Sequence, residues 1–522
     1  MNSLPDSNCD ASPARNRNSI PAIVVFVLCL AYSLVQAPIP GVNEPHYLCK
    51  AKHFWQPDYC PHDFFLDSSN THFVFYAAIG WLTKFLSLES TALIGRIVGL
   101  GLLASGWTAL LSRVSGNRAV PVLAVMLLLA SLSFQSFSGE WIVGGIESKV
   151  FAYGFIFWGW AMLADRRRTL SSALLGLGTS FHPVVGGWSL IATACSLMLP
   201  GRKNQSISND RPVRWPLLVG MFLACSLPGV IPALITLFEP VTDSYAADQI
   251  QVFQRLGHHL NPAQFPLSAF AYYALLLVLE LRLTLWFRSR SHLADSRAIR
   301  LWNGIVLGSL LVAAGGLAVG FTREAGFLPA WDPLLVKLMK FYPFRLVDVI
   351  LPISVVWKLA ALSGTGKAAK LILVSTIIAA WVWCLWIPLP SRNPDRMKPE
   401  QREAWRDACR WIDENLPPDA IVLTPSSPVS FKWYASRAAY VTFKDCPQDS
   451  AGLLEWDRRR SVFKSWASEN YDDRRYDREE LRELRTLTGG GFLLTSRLGP
   501  IESEPVFKND RYRLYELPAD EE

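Results

Sequence analysis

The run LIGRIVGLGLLASGWTALL, residues 93–111, decides how the rest of this chain is read. As a helix rising about 1.5 Å per residue it approaches the roughly 30 Å hydrocarbon thickness of a bilayer. Two neighbours repeat the pattern with their flanks, AIVVFVLCLAYSLV at 22–35 and VPVLAVMLLLASLSF at 120–134. Counting outward, spans fall at about 91–111, 119–136, 150–164, 170–183, 186–199, 214–238, 265–287, 299–320, 345–363 and 369–388. With the first run they make about eleven. The expected fold is therefore an α-helical polytopic membrane protein.

Composition agrees. The chain is 51% apolar and 18% charged, too apolar for an ordinary soluble enzyme and too charged for uniform burial. Its net charge of +7 does not form a nucleic-acid patch. Basic residues gather in short turns, Arg166-Arg167-Arg168 and Gly201-Arg202-Lys203, as cytoplasmic loops do. Beyond Pro390 the balance is about −3, so the positive excess belongs to the membrane part. There is no Walker loop or dinucleotide fingerprint, which leaves nucleotide-driven transport without support.

Arg15 and Arg17 precede the first run, so residues 1–19 read as a cytoplasmic tail and residue 39 as outside. A signal peptide cleaved near Val35-Gln36-Ala37 is the rival reading, but the run is long for one. The apolar stretch 72–88 is read as a helix lying along the outer interface, because counting it as a span sets the later basic turns on conflicting sides. The runs at 170–183 and 186–199 meet at Ser180-Phe181-His182-Pro183. Proline breaks a helix there, giving a shallow hairpin with His182 near its outer tip.

This threading makes residues 20–388 a transmembrane domain with outer loops at 39–90, 136–150, 239–265 and 321–344. Residues 389–522 become an extracytoplasmic domain. There EAWRDACRWIDENLPPDAIVLTP reads as an amphipathic helix, a turn and a buried strand, and GFLLTSR and RYRLYEL read as further strands. A small α/β domain results. Its Trp433, Arg437, Lys444 and Glu455-Trp456 are surface candidates that equally fit the core and rim of such a fold. Two cysteine pairs, Cys49 with Cys60 and Cys409 with Cys446, lie where disulfides can persist, but spacing alone leaves both bonds open.

The unusual polar residues fall on one side. The first loop carries Asn43, Glu44, His46 and Asp63; the second carries Glu140, Glu147 and Lys149. His182 sits at the hairpin tip, Arg255, His258 and His259 in the third loop, and Lys340, Arg345 and Asp348 around the fourth. Each also has a plainer reading. Acids at helix ends are solvated, Arg345 and Asp348 are spaced for an intrahelical pair, Lys149 can snorkel, and adjacent His258 and His259 can be turn residues that do not point the same way. Trp55 and Trp141 are stacking candidates. No HExxH or paired CxxC spacing marks a metal site, and a divalent ion held by Glu44, Glu147 or Asp63 stays open.

A first span followed by Asn43-Glu44-Pro45-His46-Tyr47, an interfacial helix, the acid of Gly145-Ile146-Glu147-Ser148-Lys149 and a terminal outer α/β domain together resemble the GT-C superfamily of integral-membrane glycosyltransferases. The likeness is greatest to its uncharacterised bacterial members, and lesser to the oligosaccharyltransferase and aminoarabinose-transferase branches. It implies a sugar donor on polyprenyl phosphate or diphosphate, transfer at the outer face of a bacterial inner membrane, and a glycan, lipid or protein acceptor. It also implies that Glu44 serves as general base or organises the acceptor, and that Glu147 is the second acid. The first loop departs from the frequent aspartate by having Asn43-Glu44, which leaves open whether catalysis is retained.

The chemistry needs a carboxylate to take the acceptor's proton and cations to neutralise the leaving phosphate. Arg345 with Lys340, Arg255 or Lys149 are the cation candidates, and Glu44→Gln is expected to abolish transfer while sparing insertion. A lipid-linked sugar transporter would spread its charges through the membrane depth. A catalytically inactive glycan-binding or assembly protein is the other alternative.

Overall fold

The computed structural model describes residues 19–41, 43–132, 134, 136–198, 214–290, 296–362, 367–386, 395, 397–471 and 473–519. Arg15, Arg17, Arg202 and Lys203, on which the orientation reading leaned, lie outside the described residues.

The chain is mostly helical. In order come α1 (Ile20–Gln36), α2 (Glu44–Trp55), α3 (Phe73–Gly80), α4 (Leu88–Ser115), α5 (Val120–Ser131), α6 (Ser148–Ala164), α7 (Arg168–Phe181), α8 (Pro183–Met198), α9 (Trp215–Leu237), α10 (Ser244–Gln249) and α11 (Gly257–Leu260). Then follow α12 (Leu267–Arg290), α13 (Arg297–Glu324), α14 (Asp332–Met339), α15 (Val347–Ala361) and α16 (Lys367–Trp386). Each apolar run read as a span holds one helix among the described residues. Leu88–Ser115, Trp215–Leu237, Leu267–Ser289 and Arg297–Glu324 are each long and apolar enough to cross a bilayer. Leu223, Ile231 and Ile235 of α9 and Leu275, Val278 and Leu281 of α12 are exposed. In water such faces would collapse; in lipid they are solvated, so the chain is an integral membrane protein.

Local chemistry sets the breaks. Ser87 caps α4 by accepting from Ser90 N, and α4 ends at Gly116 with φ 64°, a left-handed conformation that glycine adopts without strain. Pro183 ends α7 and opens α8. The interfacial stretch is α3 plus a 3₁₀ turn through Lys84, too short to span. What the sequence reading treated as loops is largely helical. Residues 44–55 form α2, the third loop holds α10, a π-helical turn Ile250–Arg255 and α11, and the fourth holds α14.

The C-terminal region contains α17 (Pro399–Asn415), β1 (Ile421–Leu423), α18 (Phe431–Ala435), β2 (Ala438–Ala439), α19 (Ser450–Glu469), α20 (Arg478–Thr488), β3 (Phe492–Thr495), β4 (Phe507–Lys508) and β5 (Arg513–Glu516). The sheet order is β2-β1-β3-β5-β4, parallel across β2-β1-β3 and antiparallel across β3-β5-β4. Alternation puts Leu423 and Leu493 in one apolar cluster with Trp456, and Val422 and Leu494 in another with Trp405. Cys446 belongs to the first and Cys409 to the second. The sheet therefore separates them, and Cys49, Cys60, Cys409 and Cys446 are all free thiols. Neither disulfide forms.

This region is bolted to the first loop. Lys432 Nζ lies 2.7 Å from Asp445 and 3.2 Å from Asp63, and His46 Nδ1 lies 2.9 Å from Asp445. Ser69 donates to Asp449 at 2.9 Å, and Trp433 Nε1 donates to Glu89 at 2.7 Å. Charge pairing on this scale holds Asp445 far below the usual carboxylate range despite its burial.

Candidate functional site

A cavity of about 1560 Å³ opens where the first four loops meet the C-terminal domain. Its polar end gathers Asn43, His46, Glu140, Glu147, Lys149, His182, Arg255, His258, His259, Lys340, Arg345 and Asp348. Side chains dispersed over some three hundred residues thus share one wall. From that end the lining turns apolar in two directions, along α8 and α9 (Val184, Trp188, Ile191, Val230, Leu234) and along α5 and α12 (Leu128, Leu132, Phe134, Tyr272).

The polar centre is a chain of alternating charge. Glu147 stands just before the first turn of α6, where the helix dipole favours an anion. Asn43 Nδ2 donates to its Oε1 at 2.5 Å, and Lys149 Nζ lies 3.2 Å from its Oε2. Burial nonetheless pushes the Glu147 carboxyl above its ordinary range; the Lys149 charge opposes that push and Glu140 adds to it. Lys149 also reaches Glu140 at 3.5 Å and sits 4.1 Å over the Trp141 ring. Glu140 Oε2 meets Arg345 Nε at 3.3 Å, while its Oε1 is buried without a partner. Arg345 Nη1 donates to His182 Nε2 at 2.8 Å, and its guanidinium lies 4.1 Å over Tyr342. In the sequence Glu140 is only one of the outer acids. Its position becomes apparent only once Arg345 is folded against it.

Asp348 does not pair with Arg345 one turn away. It accepts from Phe137 N, Ser138 N and Glu140 N at 3.3, 2.7 and 3.2 Å, and from Tyr273 Oη. One carboxylate thus pins the loop carrying Glu140 to α12 and α15. That loop turns at Gly139 with φ 61°, against which His259 packs. His258 and His259 lie in one tight turn with ring centroids 3.9 Å apart, and both line the cavity, contrary to the expectation that adjacency separates them. The helix α11, Gly257–Leu260, is a single turn, too short to set neighbouring residues on separate faces of the site.

The C-terminal domain closes the far side with Ser426, Phe443, Lys444 and Gln448. Arg255 Nη2 donates to Lys444 O at 3.0 Å and its guanidinium lies 4.9 Å over Phe443. Burial pulls the Lys444 ammonium down to about 8, with Glu147 resisting and Arg255 assisting. Lys340 pairs with Asp248 at 2.8 Å. Of the other surface candidates, Trp433, Arg437 and Trp456 are buried and Trp55 lies off the cavity.

Two sequence candidates are elsewhere. Glu44 lines no part of the cavity. Its carboxylate is fully buried against Arg96, with Arg96 Nε and Nη2 at 2.6 and 2.7 Å, and it accepts from Gly41 N at 2.6 Å and Ile146 N at 2.8 Å. Arg96 in turn donates to Ser33 O and Ala37 O at 3.2 and 2.6 Å. With every direction occupied, Glu44 has no room for an acceptor proton; it ties the end of α1 and the 139–147 loop to α4. Asp63 is likewise enclosed, accepting from Leu66 N and Ala439 N at 2.9 Å each. Of the three acids for which the sequence leaves a divalent ion open, Glu44 and Asp63 are taken up by these partners and Glu147 lines the cavity. Among the described residues no group of three or more His, Cys, Asp or Glu could hold a metal ion.

A family described as a domain of unknown function, DUF6798, matches residues 403–462, within the C-terminal domain from α17 to α19. No curated protein matches the chain. Two solved structures of ArnT from Cupriavidus metallidurans are similar to it. The one bound to undecaprenyl phosphate is 13% identical with a TM-score of 0.37, over 95% of this chain and 97% of that one. The apo structure is 12% identical with a TM-score of 0.35, over 95% and 96%. A likeness of that grade assigns neither residue roles nor a reaction.

Proposed function

We propose that this protein is a membrane glycosyltransferase that moves a sugar from a polyprenyl-phosphate-linked donor to an acceptor at the outer face. The observation that carries the reading is the continuity of the cavity. One wall runs from apolar helix surfaces into a cluster of carboxylates and cations, which is the shape a molecule with a greasy tail and an anionic, sugar-bearing head requires.

The donor's polyprenyl chain lies between α8 and α9, which pack on α13 and α7 respectively and barely on each other. The turn carrying Lys340, Phe341 and Arg345 stands at that groove's inner end, where Trp188 Nε1 donates to Phe341 O at 2.7 Å. Arg345 and Lys340 then meet the phosphate; burial opposes the Arg345 charge, but Glu140 and nearby tyrosines outweigh it and hold the guanidinium above its ordinary range. The acceptor oxygen attacks the anomeric carbon, the bond from that carbon to phosphate oxygen breaks, and the electron pair leaves on the phosphate. The acceptor's proton goes to Glu147, whose raised affinity for it suits a base. The unpartnered Oε1 of Glu140 accepts from a sugar hydroxyl.

The transporter reading finds little here. Ion pairs stand apart from the cavity, but they are satisfied internally: Arg96 is matched by Glu44, and Lys358 pairs with Glu280 and donates to Thr284 and Ser354 at 2.9 and 3.2 Å. The test is purified protein incubated with a panel of polyprenyl-phosphate sugars and a membrane-lipid extract. Release of polyprenyl phosphate with transfer of sugar supports the proposal. Binding without release, from every donor, rejects it in favour of a binding protein.

A further inference from the structure

Three of the cations at the polar end of the cavity already have a carboxylate beside them. Lys149 lies between Glu147 and Glu140, Arg345 meets Glu140, and Lys340 pairs with Asp248. Arg255 differs. Its Nη2 donates to Lys444 O at 3.0 Å, its guanidinium lies 4.9 Å over the Phe443 ring, and its Nε is buried without a hydrogen-bond partner. It forms no ion pair with a described residue. An aromatic ring supports a guanidinium's charge but does not fill the in-plane fork of N–H groups.

The acids around Arg255 are committed elsewhere. Asp445 holds Lys432 and His46, and Asp395 accepts from Val429 N and Ser430 N at 2.8 and 3.0 Å. More positive charge stands close by instead. Lys444 follows Phe443 in the chain, and the Arg460 guanidinium lies 5.1 Å from the same Phe443 ring. A partly desolvated guanidinium among like charges, with no carboxylate in contact, is unfavourable until an anion joins it. The planar fork matches a carboxylate bidentately.

Its place in the fold says which part of the substrate carries that anion. Arg255 ends the π-helical turn that continues α10, and α10 carries Asp248, the partner of Lys340. It therefore stands on the side of the cavity assigned to the donor. Burial raises the Tyr342 hydroxyl, and the charges of Arg345 and Arg255 both oppose that rise, so both guanidiniums act on one tyrosine. With Arg345 and Lys340 on the donor phosphate and Glu147 facing the anomeric carbon, the group that reaches Arg255 belongs to the sugar ring. Ser426, Ser427 and Gln448 line the same roof and suit its hydroxyls.

Resting on the proposed transfer reaction, we infer that Arg255 is a specificity-determining residue that binds a carboxylate on the transferred sugar, so that the donor is a polyprenyl-phosphate-linked sugar of the hexuronate class. A neutral hexose leaves the fork unfilled.

The experiment uses the full chain in detergent and the displacement of tritiated undecaprenyl phosphate by three unlabelled donors, undecaprenyl phosphate carrying glucuronate, its uncharged glucuronamide, or glucose. The glucuronate donor should bind wild type about tenfold more tightly than either uncharged one, a difference of about 1.4 kcal/mol. Arg255→Gln should remove that preference while still binding tritiated undecaprenyl phosphate as wild type does, and Arg255→Lys, which keeps the charge without the fork, should retain part of it. Equal binding of the three donors to wild type overturns the inference and leaves the donor reading standing; because the amide is compared on the unaltered protein, this arm does not depend on how any variant folds. Equal weakening of undecaprenyl phosphate and of the glucuronate donor in Arg255→Gln assigns Arg255 to the phosphate and also overturns it. Failure of wild type to bind undecaprenyl phosphate at all overturns the donor reading, and the inference with it.

Discussion

Glu44→Ala and Arg96→Met are each expected to abolish the folded protein at physiological temperature. Removing one member of a buried pair leaves the other charged and uncompensated, at a cost of about 3–5 kcal/mol. That is comparable to the lower end of the roughly 5–15 kcal/mol that stabilises a domain. Both side chains are inaccessible to solvent, so water cannot substitute for the lost partner. Glu44→Gln fares little better, since it keeps the shape but not the charge facing Arg96. The expectation from sequence, that Glu44→Gln would abolish transfer while sparing insertion, is thereby replaced: the loss comes through folding. The double variant Glu44→Leu/Arg96→Met removes both charges and should recover much of the loss. Heating detergent-purified protein and following the monodisperse fraction measures this. Wild-type thermal stability in Glu44→Ala would mean that Glu44 is no structural tie.

Glu147→Gln should behave in the opposite manner. The amide can still meet Asn43 and lie beside Lys149, so the fold and undecaprenyl phosphate binding persist. What disappears is the proton acceptor, and general-base catalysis of this kind contributes about 10²–10⁴-fold. The expected result is a fall of about that size in kcat/KM, with little change in thermal stability. The pH profile adds an independent reading. Because burial raises the Glu147 carboxyl above its ordinary value, the base loses its charge at a higher pH than an exposed glutamate would. Wild-type kcat/KM should therefore fall on the acid side at a pH above the usual carboxylate range and recover as pH rises. In Glu147→Gln that acid limb should be absent. Unchanged kcat/KM would pass the base to Glu140.

Much of the architecture was legible because hydrophobic periodicity is strong in a membrane chain. Each long apolar run became a helix, and the strands at 421–423, 492–495 and 513–516 lie where apolar residues cluster between turn signals. The short strands β2 and β4, two residues each, have no such pattern; pairing to neighbours makes them strands. The helices α2 and α14 were missed for a related reason, since mixed polar text beside a membrane reads as loop until packing buries one face.

At the site, the polar residues that the sequence grouped do line one cavity, but the first acid, Glu44, lies away from it. A glutamate just beyond a span looks solvated or catalytic until its partner is known. That partner is the single arginine inside the otherwise apolar run 93–111. A charge at that depth demands a counter-charge, and Glu44 answers it. The contribution of Lys444 was illegible from spacing, because only the docking of the C-terminal domain through Lys432, Asp445 and His46 brings it to the cavity.

Single cysteines at Thr71, Ser136, His258 and Gln448, one from each of three loops and one from the C-terminal domain, all line the cavity and test its unity directly. In right-side-out vesicles a membrane-impermeant maleimide should label all four from the outer side above the wild-type background, and undecaprenyl phosphate should protect them together. Labelling of any two from opposite sides of the membrane would contradict a single shared cavity and remove the proposed transferase.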